Sequence, residues 1–180
     1  MQRIRPFMNT DLIKVFTGIR RAGKSVMLEL VKNELKESGI GEENFLCINF
    51  EQFSNSQFLD VESLYKKITD FQKNTKGKIY LFFDEIQEVP KALTSLKYFC
   101  ENAPEYAIVA AGSLLGVAMH QGTSFPVGKV DFLHLYPLNF YEFLLAIGEA
   151  GLADLLDKQD YELINSFSSK YTDLLRKYYY

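Results

Sequence analysis

Residues 17–25 read Thr-Gly-Ile-Arg-Arg-Ala-Gly-Lys-Ser, "TGIRRAGKS", between an apolar run, LIKVF (12–16), and a helical-looking one, VMLELVKNEL (26–35). Two glycines and the cations Arg20, Arg21 and Lys24, with Lys14 just upstream, crowd into a short turn at the mouth of a helix. The stretch contains G-x-x-x-x-G-K-[ST] as Gly18, Gly23, Lys24 and Ser25. Its glycines let backbone N–H groups turn inward around phosphate oxygens, and the following helix offers its positive dipole end. The lysine reaches β- and γ-phosphates, and the serine hydroxyl suits Mg²⁺. The turn is therefore read as a polyphosphate cradle, with Thr17, Gly18, Ile19, Arg20, Arg21, Ala22, Gly23, Lys24, Ser25 and Val26 as the nucleotide-binding residues.

Working outward, short apolar runs alternate with helical patterns. Residues 12–16, 45–50, 79–83, 106–112 and 130–135 read as strands. Residues 24–38, 59–72 and 91–103 read as helices, Gly39 as the stop of the first, and 120–129 as a loop. Five consecutive apolar residues, IYLFF (79–83), suit a parallel strand buried between helix layers. Such alternation predicts a three-layer α/β sandwich around a central parallel sheet of about five strands. Ligand sites in that architecture lie beyond the carboxyl ends of the strands. Everything after Pro137 reads as helical, giving an expected core over 1–135 and a helical extension over 136–180.

Two further strand ends carry polar residues. IYLFFDEIQ (79–87) puts Asp84 at the tip of its strand, placed to hold Mg²⁺ with Ser25, and Glu85 beside it, placed to polarise an attacking water as general base. IVAAGS (108–113) ends in Ser113, for which two readings stand: a side chain beside the γ-phosphate, or a cap of the next helix. Lys24, Glu85 and Ser113 form the candidate catalytic set, and Ser25 and Asp84 the candidate metal ligands. Arg20 and Arg21 contact phosphate or a partner protomer, or are simply solvated loop charges. Lys129 is read as a solvated lysine or a charge-stabilising finger. Ile4 and Phe7 are read either as an adenine pocket or as core.

Other signals are weaker. His120 and His134 lack neighbours at metal-ligand spacing. The net charge of −3 gives no basic field for nucleic acid. No apolar run reaches the length of a membrane span, and the N-terminus lacks the core of a signal peptide, so a soluble, cytoplasmic protein is expected. Cys47 and Cys100, within apolar stretches, read as free, buried thiols. Ile164, Phe167, Tyr171, Leu174 and Tyr178 fall at spacings of three and four, and the stripe runs to Tyr180 without a stop signal. It is read as one helix face awaiting further chain, which otherwise promotes self-association.

IKVFTGIRRAGKSVML, LFFDEIQEVP, IVAAGS and LYPLNFYEFL resemble, in order, the signature stretches of a prokaryotic AAA-type ATPase family whose members usually carry a C-terminal domain of unknown function. The resemblance covers most of residues 1–145. It implies a P-loop sheet with an additional strand, the Ser113 strand lying between the phosphate-loop and Asp84 strands, and ATP as the nucleotide. Absence of an Asn-Lys-x-Asp tetrapeptide independently disfavours guanine. Where family members show Gly-Arg before the last strand, this chain has Gly128-Lys129. An ATPase driving conformational change, a nucleotide-gated switch acting on an unidentified protein partner, and a kinase all use such a loop. Glu85 favours the first, because a pure switch has no need of a base.

Overall fold

The computed structural model describes residues 12–89, 106–113 and 130–179. Its chain falls into two compact units, residues 1–136 and 137–180.

In the first unit, β1 (Ile13–Thr17), β2 (Phe45–Asn49), β3 (Ile79–Asp84), β4 (Tyr106–Gly112) and β5 (Val130–His134) form one sheet in the order β2-β3-β4-β1-β5. Every pairing is parallel. The Ser113-bearing strand β4 does lie between β1 and β3. Strand alternation sends successive side chains to opposite faces, and two cores result. Val15, Ile48, Leu81, Phe83 and Ala110 pack on one face with Leu64 and Ile68 of α2 (Val61–Lys73). Phe16, Phe45, Phe82, Val109 and Ala111 pack on the other with Leu28 and Val31 of α1 (Lys24–Glu37). This is a three-layer α/β sandwich around a parallel sheet. Burying each such Phe or Leu contributes about 1.5–3 kcal/mol, so the central strands are held mainly by apolar area.

Helix boundaries follow local chemistry. The α1 helix ends one residue before its cap, Ser38, and Gly39 then takes φ 98° while its N–H reaches the Lys36 carbonyl. The second helix starts later than its apolar pattern suggests. Residues Phe53–Leu59 form 3₁₀ turns, and the Asp60 side chain accepts from the Ser63 N–H at 2.9 Å, fixing the start of α2 at Val61. Two side chains also depart from expectation. Lys14 belongs to the strand and not to the cationic turn: it is buried, with its ammonium on the Leu12 carbonyl. Cys47 is exposed, because β2 is an edge strand, although the protein around its sulfur still pushes the thiol pKa up by burial.

The second unit contains α3 (Phe140–Ala146), α4 (Ala150–Asp157), α5 (Tyr161–Ser166) and α6 (Ser168–Tyr179). Asn139 and Glu142 form a reciprocal capping box on α3. The expected continuous stripe is broken at Phe167, which caps α5 and is 45% exposed. Nor does most of it await a cover. Tyr171 and Leu174 are buried with Leu144 and Leu152, the Tyr171 hydroxyl donates to the Leu152 carbonyl at 2.7 Å, and the Tyr178 ring packs on Phe140 and Phe143. Short helices within the unit supply the partner that a linear reading could not place. Residues Ile4, Phe7, Cys100, His120 and Lys129, and the expected helix over 91–103, lie outside the described residues.

Candidate nucleotide site at the strand ends

The turn after β1 is shaped by two close constraints. The Leu135 N–H donates to the Thr17 carbonyl at 2.7 Å, continuing the β1–β5 ladder past His134. This brings the Leu135 carbonyl against Gly18, where an added Cβ would sit 2.2 Å from its oxygen, so only glycine fits. Arg21 (φ 65°) and Gly23 (φ 84°) both adopt left-handed backbone, curling residues 18–23 over the start of α1. Thr17 Oγ1 and His134 Nδ1 lie 3.0 Å apart at the same strand ends.

The beginning of α1 has an anion-binding character. No side chain caps it, and its first turn holds no acidic residue. Its first N–H groups and dipole therefore present positive potential to whatever lies in the curl of the loop. Lys24 is buried at 4% exposure and folds back, its Nζ donating to the Ile19 carbonyl at 2.9 Å. Arg20 points away, in an exposed ion pair with Glu51 at 3.1 Å. Arg21, Ile19 and Val26 are exposed, Ala22 half-buried.

Across the sheet, Ser25 in the first turn of α1 and Asp84 at the end of β3 line the same cavity. Asp84 is 8% exposed. Burial pushes its carboxyl above the ordinary range. The Ser25 hydroxyl and Glu85 backbone N–H oppose the shift, the Glu85 charge adds to it and Lys24 works against it. Asn49 Nδ2 stands 3.3 Å from Asp84 Oδ2. A cavity of about 310 Å³ opens on this pair, walled by α1 and by the end of β2.

Glu85 leaves β3 with φ 51°, a left-handed conformation rare for a non-glycine residue. Gln87, in the 3₁₀ turn Ile86–Glu88, donates from Nε2 to Glu85 Oε2 at 2.6 Å and accepts the Ser113 N–H on Oε1 at 3.1 Å. Ser113 is buried at 3% exposure beyond the end of β4. The structure thus brings together Lys24, Ser25 and Asp84, and separately links Glu85 with Ser113. Two polar residues in these links, Asn49 and Gln87, were not singled out from the sequence. Gln87 ends the stretch IYLFFDEIQ, and Asn49 is the polar side chain within the run 45–50.

A glycine-bent loop between strand and helix, with an acid at the end of a parallel strand one strand removed from it, defines the P-loop class of α/β proteins. Residues 10–144 match the family described as AAA domain, and this chain belongs to that family of P-loop ATPase domains. It is 33% identical over 174 residues to an uncharacterized protein of Haemophilus influenzae, covering 94% of this chain and 42% of that protein. The chain therefore spans less than half the length of this relative. Among solved structures, PCH-2 of C. elegans matches with a TM-score of 0.50 at 16% identity, over 78% of this chain and 40% of that one. A Walker-type ATPase of Pyrococcus abyssi matches with a TM-score of 0.48 at 16% identity, over 81% and 57%. At such identities the likeness concerns the fold. Among the described residues, no helix is long and apolar enough to cross a membrane.

Proposed function

We propose that this chain binds Mg·ATP at the curl of residues 17–26 and hydrolyses it, with hydrolysis coupled to conformational change. The observation that carries the reading is that Ser25 and Asp84 line one cavity, so that an uncapped helix start and a buried carboxylate face the same space.

The residues present fit the ligand. An α1 start free of caps and acids suits phosphate, and Lys24 is within one side-chain swing of it. The Ser25 hydroxyl and the Asp84 carboxylate are hard oxygen donors of the kind Mg²⁺ takes. When bound, Mg²⁺ supplies neutralisation of charge on the β- and γ-phosphate oxygens. For the protein's part, the N–H groups of the loop and helix start hold the phosphates, and Lys24 exchanges the Ile19 carbonyl for a phosphate oxygen. Glu85, held by Gln87, accepts a proton from the attacking water. Ser113 sits at the end of the intervening strand, where its hydroxyl orients the terminal phosphate.

Steady-state phosphate release from Mg·ATP by the parent chain, against Glu85→Gln, tests this. Release by the parent well above the variant is expected. Tight ATP binding with equal, negligible release from both would leave a nucleotide-gated switch in place of an ATPase.

A further inference from the structure

Gln87 lies outside the phosphate loop and touches neither Ser25 nor Asp84 in any described contact, yet it joins two other strand ends. Its Nε2 donates to Glu85 Oε2 at 2.6 Å while its Oε1 accepts the Ser113 N–H at 3.1 Å. A primary amide is planar, with its acceptor and its donors on fixed corners. Because a backbone N–H can only donate, it demands the amide oxygen, and the NH₂ is then left facing the carboxylate. The orientation of Gln87 follows from this chemistry and needs no choice between flipped forms.

The platform beneath is firm. The Glu88 N–H donates to the Glu85 carbonyl at 3.0 Å, the Val89 N–H to the Ile86 carbonyl at 3.1 Å, and Ile86 is fully buried. The left-handed turn at Glu85 is what sends residue 87 back toward β4. A second carboxylate, Glu88 Oε1, lies 3.5 Å from Nε2, at the limit of hydrogen bonding, so Glu85 is the stronger acceptor.

We infer that Gln87 is a positioning residue. Its amide sets the rotamer of the Glu85 carboxylate and locks it to the backbone at Ser113, so that the base and the end of β4 move as one body. The inference rests on the reading of Glu85 as general base. It assigns to the Gln of Asp-Glu-Ile-Gln a role that depends on both ends of its amide.

Two variants remove the donor to Glu85, one of them with the acceptor for Ser113 kept. Gln87→Leu removes donor and acceptor; Gln87→Glu keeps an acceptor for Ser113 but sets carboxylate against carboxylate. Measured beside Glu85→Gln, both are expected to lower kcat by about tenfold or more while KM and the Kd for Mg·ATP stay within about threefold. A merely structural defect would move Kd and the melting temperature as well. If Gln87→Leu fails to fold, Gln87→Glu carries the comparison. An amide NMR spectrum of the parent supplies a readout free of turnover: the Gln87 side-chain NH₂ resonances should shift on Glu85→Gln. Parental kcat in the Gln87 variants beside a slow Glu85→Gln overturns the inference, as do Gln87 resonances indifferent to that substitution. Parental turnover in Glu85→Gln removes the base itself, and with it the need for a positioning residue.

Discussion

The Asn49 amide stands 3.3 Å from Asp84 Oδ2, tying the carboxyl ends of two neighbouring parallel strands side chain to side chain. The Glu85 backbone N–H donates to Asp84 Oδ1 at 3.0 Å, so both carboxylate oxygens are held. Asp84→Asn keeps the shape and the hydrogen-bonding capacity but removes the charge. Calorimetric titration with ATP should show the Mg²⁺-dependent gain in affinity reduced by roughly 10–100-fold, with metal-free binding little altered. An undiminished Mg²⁺ effect would take Asp84 out of the metal site.

The Lys24 ammonium donates to the Ile19 carbonyl, and this is the hydrogen bond described for it. Replacing it by Ala removes a charge-assisted contact to phosphate, a loss of about 1.5–3 kcal/mol and hence roughly 10–150-fold in Kd for ATP. Circular dichroism should be unchanged. Unaltered affinity in Lys24→Ala would argue against the phosphate-loop assignment.

Glu85→Gln should bind ATP as the parent does and turn it over about 10²–10⁴-fold more slowly, because only the proton acceptor is lost. Nucleotide should remain on this variant through gel filtration, as intact ATP rather than ADP.

Gly18→Ala tests the close approach of strand ends. A methyl group 2.2 Å from a backbone oxygen cannot be relieved by a rotamer change, so the β1–β5 ladder must part. We expect destabilisation of about 1–3 kcal/mol in urea unfolding, and weaker ATP binding since the loop shifts with it. A stable protein with parental affinity would contradict that geometry.

Glu42 gives a pH-dependent prediction remote from the site. Lys32 at 2.6 Å, then Lys36 at 2.8 Å, hold its carboxyl down to about 2 from an ordinary 4.5. A lowered carboxylate pKa contributes stability above the unfolded value that is lost as pH falls through the folded one. The urea midpoint of Glu42→Gln should therefore lie slightly below the parent's at pH 7, and the gap should close between pH 4.5 and about 2. Glu42 and Lys36 face solvent, although Lys32 is largely covered, so the gap should also shrink in high salt. A gap that persists at pH 2 would assign the effect to packing.

Much of this was legible in the chain, for identifiable reasons. Strands such as IYLFF and YAIVAAG are apolar on both faces, so their burial and parallel pairing could be read from composition alone. The glycine-bent turn over residues 17–25 was legible because its spacing pattern is local in the chain. What escaped needed three dimensions. Asn49 meets Asp84 only because β2 and β3 share a register, and Gln87 meets Ser113 only because a left-handed Glu85 turns the chain back. The stripe from Ile164 to Tyr178 looked like one helix because a break at Phe167 leaves its spacing almost undisturbed. Asp60, by contrast, was a readable cap, and its Asx signal outranks the apolar Leu59 before it.

The sheet order imposes a timetable on the nascent chain. Lys14 pairs with Val109 and Ile13 with Val130, so β1 leaves the ribosome with neither of its neighbours yet made. At about 5–20 residues per second, roughly 5–20 s pass before β4 exists to receive it. During that interval the segment from Ile13 to Phe16, buried throughout in the finished protein, has no sheet to enter. β2 and β3 can pair first, since only the 3₁₀ turns of Phe53–Leu59 and α2 separate them. The phosphate loop, hung between β1 and α1, therefore acquires its shape late in synthesis. A chaperone that shields short apolar strands should engage this chain through its N-terminal third, and release it once residues 106–134 have emerged.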